Sequence, residues 1–98
     1  MHKRVLLTKT EISRITKKHP EWSVNPKQTV LYRTYTFEKY VDALVFIARI
    51  TVHAEVLKHH PDIEFSYCKV KVKLSTHALK GLSKLDSVLL ERIERLHT

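Results

Sequence analysis

Glycine is nearly absent: Gly81 is the only one in 98 residues. The GXXG loop of a KH module and the glycine-bearing aromatic strand of an RRM are therefore both missing. Cys68 is equally alone, so the chain offers no internal disulfide and no CxxC pair for zinc or redox work. A reducing, cytoplasmic compartment is the expectation that follows. Long apolar runs are missing as well: the longest, Ala43 to Ala48, has six residues, against the roughly 20 that a membrane-spanning helix needs. At the N-terminus His2-Lys3-Arg4 precedes only Val5-Leu6-Leu7 before Thr8-Lys9 restores polarity, short of the roughly 7 to 15 apolar residues of a secretory signal. Acidic residues are scarce, 10 Asp+Glu against 18 Lys+Arg, for a formal charge of +8. That excess favours anionic partners without naming one. No zinc-finger or zipper spacing accompanies it, so a solvated basic surface is expected rather than a nucleic-acid interface.

What is present is core material. Hydrophobic residues make up 43% and charged residues 29%, a composition that folds, and the length suits one domain over residues 1–98. Thr8 and Glu11 have capping-box spacing, with Ile12 and Ile15 as a short stripe before His19-Pro20 ends the helix. Trp22 to Val24 and Thr29 to Phe37 are β-branched and aromatic, and Asn25-Pro26-Lys27 supplies turn chemistry between them. Glu38 to Lys58 lacks Gly and Pro, and Ala43, Ile47, Ile50, Ala54 and Leu57 fall on one helical face before Pro61 stops the element. Ile63, Phe65 and Tyr67 then alternate with Glu64 and Ser66; Cys68, Val70, Val72 and Leu74 alternate with Lys69, Lys71 and Lys73. A strand buried on both faces could not carry three lysines in register, so the sheet is antiparallel and covered on one side. Ser83 and Asp86 repeat the capping-box spacing ahead of a last helix with Leu82, Leu85, Leu89, Ile93 and Leu96 inward and Arg92 and Arg95 near its end. The expected architecture is α+β, a two-layer sandwich.

Seven histidines are many for this length. His59 and His60 stand where the long helix breaks, and His77 follows the lysine-bearing strand, positions at which a scaffold presents functional groups. Imidazoles titrate near pH 6.5, so a cluster can hold a proton donor and an acceptor together, as elimination or hydration requires. Solvation, or capping of the helix carbonyls by His59 and His60, is the competing reading. A three-histidine zinc site is a further one, but adjacent histidines rarely share an ion and no HExxH or Cys pair supports it; no metal is expected. His2, His19, His53 and His97 receive no functional weight. Glu55 lies one turn before His59 and can orient it, Asp86 reads as a capping acid, and Trp22 serves either as core or as the wall of a pocket for a flat ring.

Glu55-Val-Leu-Lys-His59-His60-Pro61, followed by Tyr67, Ser75-Thr76-His77 and Asp86, resembles the signature of the pterin-4a-carbinolamine dehydratases. The likeness runs nearly the whole chain: Trp22, the strand residues Arg33, Tyr35 and Phe37, and the helix residues Phe46, Arg49 and Ala54 fit as well. Ala78-Leu79-Lys80-Gly81 departs from it, since the family more often has an acid first and a glycine pair last. The resemblance implies a four-stranded antiparallel sheet with helices on one face. It also implies dehydration of 4a-hydroxytetrahydropterin, left by aromatic amino acid hydroxylases, to quinonoid dihydropterin in tetrahydrobiopterin recycling, without a cofactor. Under it His59 and His77 are the acids or bases, His60 chiefly binds the pterin, and Glu55, Trp22, Pro61, Ser75, Thr76 and Asp86 support the site. A homodimer or homotetramer is implied too. The alternative is a protein-binding module, a coactivator or dimerisation cofactor that keeps the scaffold without the chemistry.

Overall fold

The computed structural model describes residues 5–97, so His2, Lys3 and Arg4 lie outside the described residues. Helix α1 spans Lys9–Lys18. Its capping box is closed in both directions: the Glu11 amide donates to Thr8 Oγ1 at 3.1 Å and the Thr8 amide to Glu11 Oε1 at 2.8 Å. Strand β1 is only Ser23–Val24 and pairs antiparallel with β2, Leu31–Thr36. Both are shorter than the β-rich stretches suggest, because the Asn25 turn consumes the residues between. Asn25 Oδ1 accepts from the Thr29 and Val30 amides at 2.7 and 2.8 Å, and Gln28 takes a left-handed φ of 57°.

Helix α2, Tyr40–Leu57, buries Ala43, Phe46, Ile50 and Ala54. The expected face named Ile47 and Leu57, which are only partly buried, and omitted Phe46. The cause is an apolar residue on nearly every side of this helix. Val41, Leu44, Val45, Val52 and Val56 remain exposed on its outer face, so three- and four-residue steps fit more than one stripe.

Strands β3, Asp62–Ser66, and β4, Lys69–Leu74, complete a four-stranded sheet in the order β1-β2-β4-β3. Tyr67 does not continue the alternation of β3: it sits at φ 48°, highly exposed, and turns the chain into β4. On β4 the alternation holds throughout. Val70, Val72 and Leu74 are fully buried opposite Tyr35, Arg33 and Leu31 of β2, each apolar side chain contributing about 1.5–3 kcal/mol. The lysines take the other face, Lys73 against Glu64 and Lys71 over the Tyr32 ring at 5.2 Å.

A single 3₁₀ turn, His77–Leu79, leads into α3, Lys84–His97, which buries Leu85, Leu89, Leu90 and Ile93. Arg33 on β2 forks onto Glu94 of α3 at 2.8 and 2.7 Å, and the Tyr35 hydroxyl donates to the same carboxylate. Burial first, and then Glu94, push the Tyr35 hydroxyl far above the ordinary phenol range. Gly81 lies beneath the exposed Leu6 side chain. A Cβ there would lie 2.6 Å from Leu6 Cδ2, where the N-terminal segment crosses to pair Leu6 with Ser83. Three helices thus cover one face of an antiparallel α+β sandwich.

Candidate functional site

The end of α2 positions the first histidine through its backbone. Lys58 adopts φ 51°, ψ 42°, its amide donates to the Glu55 carbonyl at 3.2 Å, and the His59 amide donates to the Ala54 carbonyl at 3.0 Å. These are the two bonds of a Schellman terminator, built here on a lysine where glycine is usual. The turn drives His59 inward, leaving it 7% exposed. His60 and Pro61 are left at the surface, leading into β3.

Beneath His59 lies a polar cluster made by the start of α3 and the end of β4. His59 Nε2 is 2.6 Å from Asp86 Oδ1, and Asp86 is fully buried. Asp86 Oδ2 accepts from the Thr76 hydroxyl at 2.7 Å and from the Ser83 amide at 2.9 Å. The expected capping box of α3 is therefore half formed. Asp86 caps Ser83, but the Ser83 hydroxyl turns to Thr76 Oγ1 at 2.6 Å. Thr76 is itself clamped: its amide donates to the Gly81 carbonyl at 2.7 Å, closing the loop that carries His77.

His60 and His77 sit at the rim. His60 Nε2 meets Glu55 Oε2 at 2.5 Å with side chains 62% and 70% exposed, and His77 Nε2 lies 3.4 Å from Asp62 Oδ2 with side chains 75% and 66% exposed. Glu55 thus pairs with His60, not with His59 as a one-turn spacing suggests. The left-handed Lys58 breaks the helical period before either imidazole is reached, so residues four apart no longer share a face.

An open depression of about 230 Å³ is lined by Lys58, His59, His60, Ser75, Thr76, His77 and Ala78. Of the nine residues named from sequence, His59, His60, His77, Ser75 and Thr76 line it. Asp86 lies behind its wall and Glu55 at its rim. Pro61 follows the histidine pair without lining the depression. Trp22 belongs to the core: it is 2% exposed, packs edge-on to Tyr35 with ring centroids 6.3 Å apart, and does not line this depression. Sequence reasoning missed Lys58 as a lining residue and the Asp62 partner of His77. The last is a cross-element contact with no local spacing to signal it. Volume alone does not choose this depression, since another of about 220 Å³ lies against Phe37, Asp42, Phe46, Arg49 and His97. What distinguishes the first is three imidazoles, each within 3.4 Å of a carboxylate oxygen of its own, around one opening. Such a set can donate a proton on one side and accept one on another at neutral pH. Among the described residues no group of three or more His, Cys, Asp or Glu is arranged around a metal position.

Comparison with known proteins gives the same direction. Residues 5–96 match the family model described as pterin 4 alpha carbinolamine dehydratase. A provisionally named pterin-4-alpha-carbinolamine dehydratase of Nostoc punctiforme is 38% identical over 91 residues, covering 93% of this chain and 96% of that protein. One from Halorhodospira halophila is 38% identical over 77 residues, 79% of this chain and 71% of its own. Among solved structures, a transcriptional coactivator/pterin dehydratase from Brucella melitensis superposes with a TM-score of 0.90 at 26% identity, covering 96% of this chain and all of that one. A pterin dehydratase-like RuBisCO assembly factor of the alpha-carboxysome shares the fold, with a TM-score of 0.67 at 21% identity over 78% of this chain and 88% of its own.

Proposed function

We propose that this chain, which belongs to the pterin 4 alpha carbinolamine dehydratase family, removes water from a 4a-hydroxytetrahydropterin by histidine acid–base catalysis. The observation that carries the reading is the convergence of His59, His60 and His77 on one depression with a carboxylate behind each. The reaction breaks the bond between C4a and its hydroxyl and forms a double bond from C4a to the neighbouring ring nitrogen. One proton goes to the departing oxygen and one leaves that nitrogen, so atoms and charge balance with two proton transfers. A buried imidazole backed by Asp86 is suited to hold one of those protons, and an exposed imidazole on the opposite segment to handle the other. His59 and His77 take these roles in this reading. His60, with Glu55 against it, holds the pterin, and Ser75 and Thr76 line the cleft.

The same reading makes the protein a single cytoplasmic domain needing no cofactor, supplied with substrate by hydroxylation of aromatic amino acids and working as a homodimer or homotetramer. The outer face of α2 supports assembly: Val41, Val52 and Val56 are each more than half exposed on a helix whose other face is core. That face is also what favours the second reading, a module that docks on another protein.

The deciding measurement is the rate at which chemically generated 4a-hydroxytetrahydropterin loses water with and without the folded protein. Acceleration abolished by combined replacement of His59 and His77 is expected. A rate equal to the uncatalysed one would overturn the enzyme reading and leave the docking module.

A further inference from the structure

A histidine has two ring nitrogens, and which one reacts is set by what holds the other. We infer that the buried Ser83–Thr76–Asp86 chain fixes His59 with its proton on Nε2, making Nδ1 the nitrogen that meets the substrate and Thr76 and Ser83 positioning residues for it. The inference rests on the dehydratase reading for its catalytic meaning, and on hydrogen-bond accounting for its structure.

The accounting starts from groups with no choice. The Ser83 amide can only donate, and it points at Asp86 Oδ2 from 2.9 Å. Thr76 Oγ1 shares that oxygen at 2.7 Å and also lies 2.6 Å from Ser83 Oγ. A hydroxyl owns one proton. A Thr76 proton given to the carboxylate requires Ser83 to supply the bond between the two hydroxyls, so the chain runs one way, from Ser83 to Thr76 to Asp86. With two donors on Oδ2, the remaining oxygen of a fully buried Asp86 takes the third, the Nε2–H of His59 at 2.6 Å. Nδ1 has no hydrogen-bond partner among the described residues, and His59 lines the depression. It therefore carries a lone pair toward the cleft when the ring is neutral and an N–H when the ring is charged. The bond to Asp86 persists through both states, so the ring keeps its orientation during a proton transfer. His60 has no such constraint, being exposed with a single exposed partner.

The direct test is the ¹⁵N spectrum of the histidine side chains in the labelled wild-type protein, with the His59 signals identified by their loss in His59→Gln. Long-range proton–nitrogen correlations of neutral His59 are expected to show a protonated Nε2 and an unprotonated Nδ1. The opposite tautomer, or the averaged shifts of an exchanging mixture, overturns the inference. Thr76→Val removes the hydroxyl at nearly constant volume. It is expected to lower kcat by about 10-fold or more, part of the roughly 10² to 10⁴ that a positioned acid or base contributes, with KM little changed and a mixed tautomer at His59. Thr76→Ser, which returns the hydroxyl, is expected to recover most of the lost rate. A Thr76→Val protein with the wild-type rate and spectrum removes Thr76 from the role. Where that variant folds poorly, Ser83→Ala gives the same comparison one link further from the ring, and a wild-type spectrum there breaks the chain at Ser83. A protein that shows the Nε2–H form yet does not dehydrate the carbinolamine refutes the dehydratase reading alone. One that dehydrates with the Nδ1–H form refutes this inference alone.

Discussion

The two sides of the cleft hold their imidazoles by opposite means. On the wall, His59 is tied to a fully buried acid that is itself tied to Thr76 and Ser83, so one side chain is fixed by Asp86 of α3, Ser83 just before it and Thr76 just after β4. On the rim, His60 and His77 each face one carboxylate in solvent, and among the described residues no comparable chain stands behind either. The wall gains orientation at the cost of burying polar groups, which is tolerable only because the chain satisfies them. The rim keeps freedom to admit a ligand, because exposed ion pairs contribute little. Rigid orientation on one side and access on the other is what an acid–base cleft for a planar ring requires.

The sharpest way to break this comparison is kinetic. A carbinolamine hydroxyl can leave from either face of the pterin, and one fixed imidazole reaches only one face at hydrogen-bond distance, roughly 2.6 to 3.2 Å. His59→Ala and His77→Ala should each slow one stereoisomer by about 10² to 10⁴ and the other far less. Stereoisomer-resolved stopped-flow rates check this. Equal slowing of both isomers by each variant would replace opposite-face attack with a shared relay.

The next effect is on stability. Asp86→Ala strands three donors in the interior and should cost about 3–5 kcal/mol, the range for breaking a buried polar pair. Asp62→Ala at the rim should cost about 0–1 kcal/mol. Urea midpoints of the two variants give the ratio, and similar losses would mean that wall and rim are not distinct.

Much of this arrangement was legible before any coordinates. Period-two alternation on β4 identifies the buried face because a one-residue slip would bury Lys69, Lys71 and Lys73. The loop histidines stand out because element ends present chemistry. The illegible parts share one cause, contacts between elements distant in sequence. Asp86 reads as a cap and is one, yet its second oxygen serves a histidine 27 positions away. Glu55 meets His60 rather than His59 because a lysine, not a glycine, adopts the left-handed turn, which no sequence signal marks. Trp22 offered both core and pocket readings, and only packing against Tyr35 decided between them.

Acid titration sharpens the contrast from outside the cleft. Three exposed or half-exposed carboxyls are held below the ordinary range: Glu91 by its bond to His19, Glu64 by its bond to Lys73, and Glu11 by the Thr8 amide. A depressed carboxyl stabilises the fold above its unfolded value, here 4.5, and the contribution is lost as pH falls through the folded value. Stability should therefore decline gently below about pH 4.5. Glu91→Gln should flatten that decline in urea titrations at successive pH values, and an unchanged slope would show that solvent screens these pairs completely.

The smallest effect concerns Glu55. Its carboxylate meets His60 with both side chains mostly in solvent, so Glu55→Gln keeps the shape, removes the charge, and should change stability by less than about 1 kcal/mol. Its value lies in where the kinetic effect falls. If His60 serves binding while His59 and His77 serve proton transfer, KM for the carbinolamine should rise severalfold while kcat stays near wild type, because the substitution weakens binding of ground and transition states alike. A kcat loss with KM unchanged would move His60 into the proton-transfer step. The division between His59 and His77 as proton-transfer groups and His60 as a binding group would then give way to a site in which all three imidazoles share the chemistry.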